Sequence, residues 1–65
     1  MDAKTIVNWL YSAMSAPTVG VRSNYLTLVE TAMPHCQCTG EHLMSLLAKN
    51  KTKPELYRIL SEYGF

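Results

Sequence analysis

The chain has 65 residues, of which 48% are hydrophobic and only 17% charged, with a net charge of +1. That length allows one small domain spanning residues 1–65, and so much apolar surface excludes a disordered segment. A balance this close to neutral excludes a global field directed at nucleic acid or an anionic membrane.

No apolar run approaches a membrane span. The amino-terminal segment does not read as a secretory signal, because Asp2 stands where a basic start is needed and Asn8 and Ser12 interrupt the apolar run. The two cysteines, Cys36 and Cys38, are separated by one residue, where a bridge would close a strained ring. They read as reduced thiols, which points to a cytoplasmic protein.

Taken in order, Asp2 caps a first helix from Ala3 to Ser15. Ile6, Leu10 and Ala13 share one face, with Val7, Tyr11 and Met14 beside them and Trp9 near the edge. The stretch Ala16-Pro17-Thr18-Val19-Gly20 breaks that helix. From Val21 to Pro34 two patterns compete. Ser23 can cap a helix Asn24–Met33 carrying Leu26, Val29 and Met33 on one face and Tyr25, Leu28 and Ala32 beside it. Alternatively Thr18–Arg22 and Tyr25–Val29 pair as a hairpin about Ser23-Asn24. The apolar pattern runs on to Met33 and Pro34 is a natural stop, so the reading is helix.

Thr39 caps a third helix with Glu41 in its first turn, and Leu43, Leu46 and Leu47 with Met44 and Ala48 supply its apolar face. Lys49 and Lys51 complement its carboxyl end, and Asn50 is the expected left-handed terminator. A basic turn leads to the last helix, whose start fits two registers. Thr52 with Glu55 spells a capping box, whereas Pro54 argues for Lys53 as the cap. Leu56, Ile59, Leu60 and Tyr63 form its buried stripe. Gly64 suits the position just past the end, with Phe65 folding back on Leu60 in a Schellman closure, so the chain reads as finished at its last residue. The expected architecture is all-α: about four short helices in a compact bundle, the last two meeting in a helix-turn-helix-like corner.

Three constellations bear on chemistry. His35, Cys36, Cys38 and His42 place four ligand-type residues within eight positions. Cys36, Cys38 and His42 could face one metal ion with His35 pointing away, but the usual Cys-x-x-Cys knuckle and a distant second pair are missing. The plainer reading makes the cysteines small hydrophobes at a loop, with no cofactor. Cys38, one residue ahead of a helix start and near His42, has the setting of an activated thiol. No oxyanion donors accompany it, Asp2 is the only aspartate, and a chain of this size has little room for an enclosed substrate pocket. The sequence does not read as an enzyme.

The third constellation is the basic corner. Four of the six basic residues, Lys49, Lys51, Lys53 and Arg58, fall between positions 49 and 58. They would contact phosphates if the corner were a DNA-binding helix-turn-helix. Glu55 and Glu62 on the same exposed face oppose that, and lysines at a helix end commonly just complement its dipole. The expected function is therefore a non-catalytic regulator, adaptor or inhibitor that binds a larger, acidic protein partner. Trp9, Tyr11 and Tyr57 are the candidates for the centre of the contact, and Lys51, Lys53 and Arg58 for its rim. A DNA-binding regulator using Lys49, Lys51, Lys53 and Arg58 is the alternative. A homodimer would also enlarge the small core.

Overall fold

A computed structural model describes residues 2–36 and 38–65, and the described chain contains four helices and no strand. Helix α1 spans Ala3–Met14, α2 Val19–Ala32, α3 Gly40–Ala48 and α4 Lys53–Glu62.

Each boundary has a local cause. The Asp2 carboxylate accepts from the Thr5 N–H at 3.0 Å and the Thr5 hydroxyl at 3.1 Å, so α1 starts where expected. It ends one residue earlier than expected, with Ser15 as the cap. The Thr39 hydroxyl accepts from the His42 N–H at 3.1 Å and opens α3. At the far end of α4 the Phe65 N–H donates to the Leu60 carbonyl and the Gly64 N–H to Ser61, with Gly64 at φ 88°. That is the expected Schellman closure, in which glycine occupies a left-handed position closed to most side chains. Phe65 packs on the core with its ring stacked on Tyr63.

Three expectations need correcting. The hairpin alternative does not form, and the helix that replaces it begins at Val19, well before Asn24. Its cap is Thr18, whose hydroxyl accepts from the Val21 N–H at 3.2 Å, so Ser23 lies inside the helix. Asn50 is not left-handed, since no residue other than glycine has positive φ among the described residues. Instead α3 ends because Lys49 turns to extended angles. Finally, Thr52 takes the cap position of α4 without capping it. Its hydroxyl turns back and donates to the carbonyls of Leu46, at 2.6 Å, and Lys49, at 3.1 Å. One side chain thus satisfies carbonyls that the end of α3 leaves over, and the capping box with Glu55 is not made.

Packing follows from these boundaries. Ile6, Leu10, Val29, Leu43, Leu47, Leu56 and Leu60 are fully buried, so all four helices contribute to one core. Helix α1 lies close to the other three and α3 does likewise, whereas no Cα of α2 comes within 8 Å of one of α4. The two outer helices are therefore held apart by the two inner ones. The accessible surface is 4239 Å², close to the roughly 4200 Å² that a folded monomer of this mass exposes. Folding alone has buried what a chain of this size can bury.

Candidate functional site

The sequence-level candidates separate into three surfaces. Trp9 and Tyr11 are two residues apart on α1, which places them about 200° apart around the helix. Trp9 is half-buried against the core and Tyr11 is 44% exposed, so they cannot centre one patch. Tyr57 on α4 is 48% exposed, and Lys53 stands one turn before it on the same row. This pair does form an aromatic position with a basic neighbour.

Arg58 has a different setting. Its guanidinium bonds the Glu55 carboxylate on one side and, at 2.6 Å, the Glu62 carboxylate on the other. These bonds, that to Glu55 foremost, hold Arg58 above its ordinary pKa, and Arg58 in turn draws Glu55 below the usual carboxylate range. The exposed side of α4 is thus a closed triad with two negative charges and one positive. Lys49, Lys51 and Lys53 have no carboxylate partner among the described residues, where the remaining ion pair joins Arg22 to Glu41.

The start of α4 also bears on anion binding. The N–H groups of Thr52 and Lys53 donate to the Lys49 carbonyl, those of Glu55 and Leu56 to the Thr52 carbonyl, and Pro54 has none. Donors that usually make a helix start an anion site are already used. Contacts from the lysines would have to come from their side chains alone.

The ligand-type residues do come together. His35, Cys36, Cys38 and His42 line an open cleft of about 480 Å³ together with Arg58 and its two carboxylates. His35, expected to point away, faces the same cleft. Cys36 and Cys38 are half-buried against the core, and the Cys38 N–H donates to Cys36 Sγ at 3.3 Å. Burial above all, and then the bond to Cys36, push the Cys38 thiol up, away from the thiolate a nucleophile needs. Tyr63, on the cleft wall, has a buried hydroxyl without a hydrogen-bond partner. No group of three or more His, Cys, Asp or Glu side chains converges on a metal position among the described residues.

Sequence reasoning passed over one surface. Val21, Tyr25, Leu28 and Ala32 recur at four-, three- and four-residue intervals along α2, a second apolar row beside the one formed by Leu26, Val29 and Met33. Val21 is 37% exposed and Leu28 46%, with Tyr25 and Ala32 half-buried. The charged residues of α2 are Arg22 and Glu30, and both turn toward α3. The signal was present in the spacing, but Leu28 and Ala32 were assigned to the flank of the buried face.

No protein-family model, no curated protein and no solved structure matches the chain. No helix among the described residues is long and apolar enough to cross a membrane.

Proposed function

We propose that the protein is a non-catalytic helical regulator that acts by seating the outer row of α2 in an apolar groove of a larger protein. The observation that carries this reading is the row itself: four apolar positions at the intervals a helix presents to a groove, without a charged side chain among them. Interface centres are depleted of charge in just this way. A groove is favoured over a second copy by area. Helix α2 is 14 residues, about 21 Å long, and one flank of it falls short of the roughly 800 Å² per partner that a stable flat interface buries. A groove wraps more of the helix. Tyr57 and Lys53 on α4, with Lys51 in the turn before it, offer a separate aromatic-basic contact suited to steering an acidic partner.

The test is capture from the native host with paired variants. Leu28→Asp should release the captured protein, weakening association by about 2 kcal/mol or more, as loss of a central anchor does. Ser61→Asp adds the same charge to an exposed position on α4 and should leave capture intact. Equal loss in both variants, or in neither, would remove α2 as the contact.

DNA binding stands as a second reading because Lys49, Lys51 and Lys53 lack carboxylate partners among the described residues. With Arg58 occupied, three phosphate contacts would give a logarithmic salt slope of about −2.7. Absence of duplex binding at physiological salt is the expected outcome.

A further inference from the structure

We propose that the turn between α3 and α4, together with the exposed ring of Tyr57, binds single-stranded nucleic acid. The inference is independent of the α2 row and gives the aromatic-basic surface of α4 an occupant of its own. Lys49, Lys51 and Lys53 share one tight turn. The Thr52 and Lys53 N–H groups both donate to the Lys49 carbonyl at 3.1 Å, which draws the backbone of Lys53 back beside that of Lys49, with Lys51 at the bend between them. The three lysines have no carboxylate partner among the described residues. One helical turn beyond Lys53, Tyr57 is 48% exposed, and its ring enters no aromatic stack among the described residues.

The carboxylates of α4 do not oppose this surface. Glu55 and Glu62 stand about 160–180° around the helix from Lys53, where they hold Arg58 and line the cleft with the two histidines. Helix α4 thus keeps its acidic side and its Lys53–Tyr57 side apart.

The chemistry of the surface chooses the partner class. With the first N–H groups of α4 bonded within the chain or, at Pro54, missing, an anion is met by flexible lysine side chains. Such side chains follow a phosphate backbone without fixing a register, and an exposed aromatic ring adds a face on which a base can stack. In a duplex the base faces are covered by their neighbours, so Tyr57 would meet only sugar and phosphate. An acidic peptide would engage the lysines, but its carboxylates offer the ring no aromatic face. An unpaired strand uses both parts of the surface.

The experiment titrates the full chain into a fluorescein-labelled oligothymidylate of about ten nucleotides and follows anisotropy at several salt concentrations. Saturable binding is expected at low salt, with a logarithmic salt slope of about −2.1 for three contacts to a single strand. Lys53→Gln should reduce that slope to about −1.4. Tyr57→Ala should weaken binding at least about fivefold, while Tyr57→Phe, which keeps the ring, should retain it. Should Tyr57→Ala unfold, a base-free strand of the same length supplies the second measurement: the native chain should bind it at least about fivefold more weakly than oligothymidylate. Absence of binding at low salt would overturn the proposal. So would equal binding by the native chain and folded Tyr57→Ala, equal binding of the base-free strand, or a duplex or polyglutamate bound as tightly as the single strand.

Discussion

The Gly40 N–H donates to Glu30 Oε2 at 2.7 Å, so a carboxylate near the end of α2 caps the start of α3. The bond is charge-assisted and lies at the positive end of the α3 dipole. Gly40 also lets the two helices close together. A Cβ there would stand 2.9 Å from Glu30 Oε2, 3.0 Å from Leu26 Cβ and 3.1 Å from the Leu26 carbonyl oxygen.

Gly40→Ala should therefore destabilise the fold, by about 1–3 kcal/mol as overpacking does. Helix propensity alone would favour alanine by up to about 1 kcal/mol, so the sign of the change separates the two effects. A urea midpoint at or above that of the native chain would show that α2 and α3 can move apart at no cost.

Leu47 is fully buried in the face that α3 turns to the core. Leu47→Ala should cost about 2–5 kcal/mol, enough to unfold much of so small a domain at room temperature. Tyr57→Ala, at a half-exposed position, should shift the thermal midpoint far less. Comparable losses would mean that Tyr57 is anchored in a way its exposure does not suggest.

Thr52→Val keeps the shape of the side chain and removes the hydroxyl shared by the Leu46 and Lys49 carbonyls. A loss of about 1 kcal/mol is expected, within the usual range for a hydrogen bond. Amide exchange should quicken in the last turn of α3 before the first turn of α4, because the hydroxyl serves α3. The opposite order would restore Thr52 to the capping role the sequence suggested.

The Thr5 backbone and hydroxyl donors hold the Asp2 carboxyl below its ordinary range, as Arg58 does for Glu55. Folded-state values lowered in this way add stability above the unfolded values and lose it as pH falls through the folded ones. Thermal midpoints should decline as the solution is acidified below about pH 4. Asp2→Asn keeps a good cap that does not titrate in this range, so its midpoint should decline less steeply. An unchanged slope would assign the acid sensitivity to other carboxylates.

How much of this was legible in the sequence depended on distance along the chain. The Thr39 cap and the Gly64-Phe65 closure are made within a few residues and were readable from residue type and spacing. The start of α2 was missed because Pro17 and Gly20 look like loop signals, while Thr18 can cap only if the chain continues as helix through both Val19 and Gly20. The Thr52 hydroxyl had a nearer claimant in α4 and a better one in α3, and no local rule ranks them. Glu30 and Gly40 are ten positions apart, and Cys36 and Arg58, which line the same cleft, are 22 positions apart. Periodicity within one helix does not contain such pairings.

The separation of α2 from α4 has a consequence for how this molecule can change. Because the backbones of the outer helices stay more than 8 Å apart, substitutions at exposed positions of one should combine with those of the other by simple addition, within about 0.5 kcal/mol. The apolar row of α2 and the aromatic and charged face of α4 are therefore free to drift under different selective pressures. Every compromise between them has to pass through α1 and α3, whose leucines and isoleucine leave little room to vary.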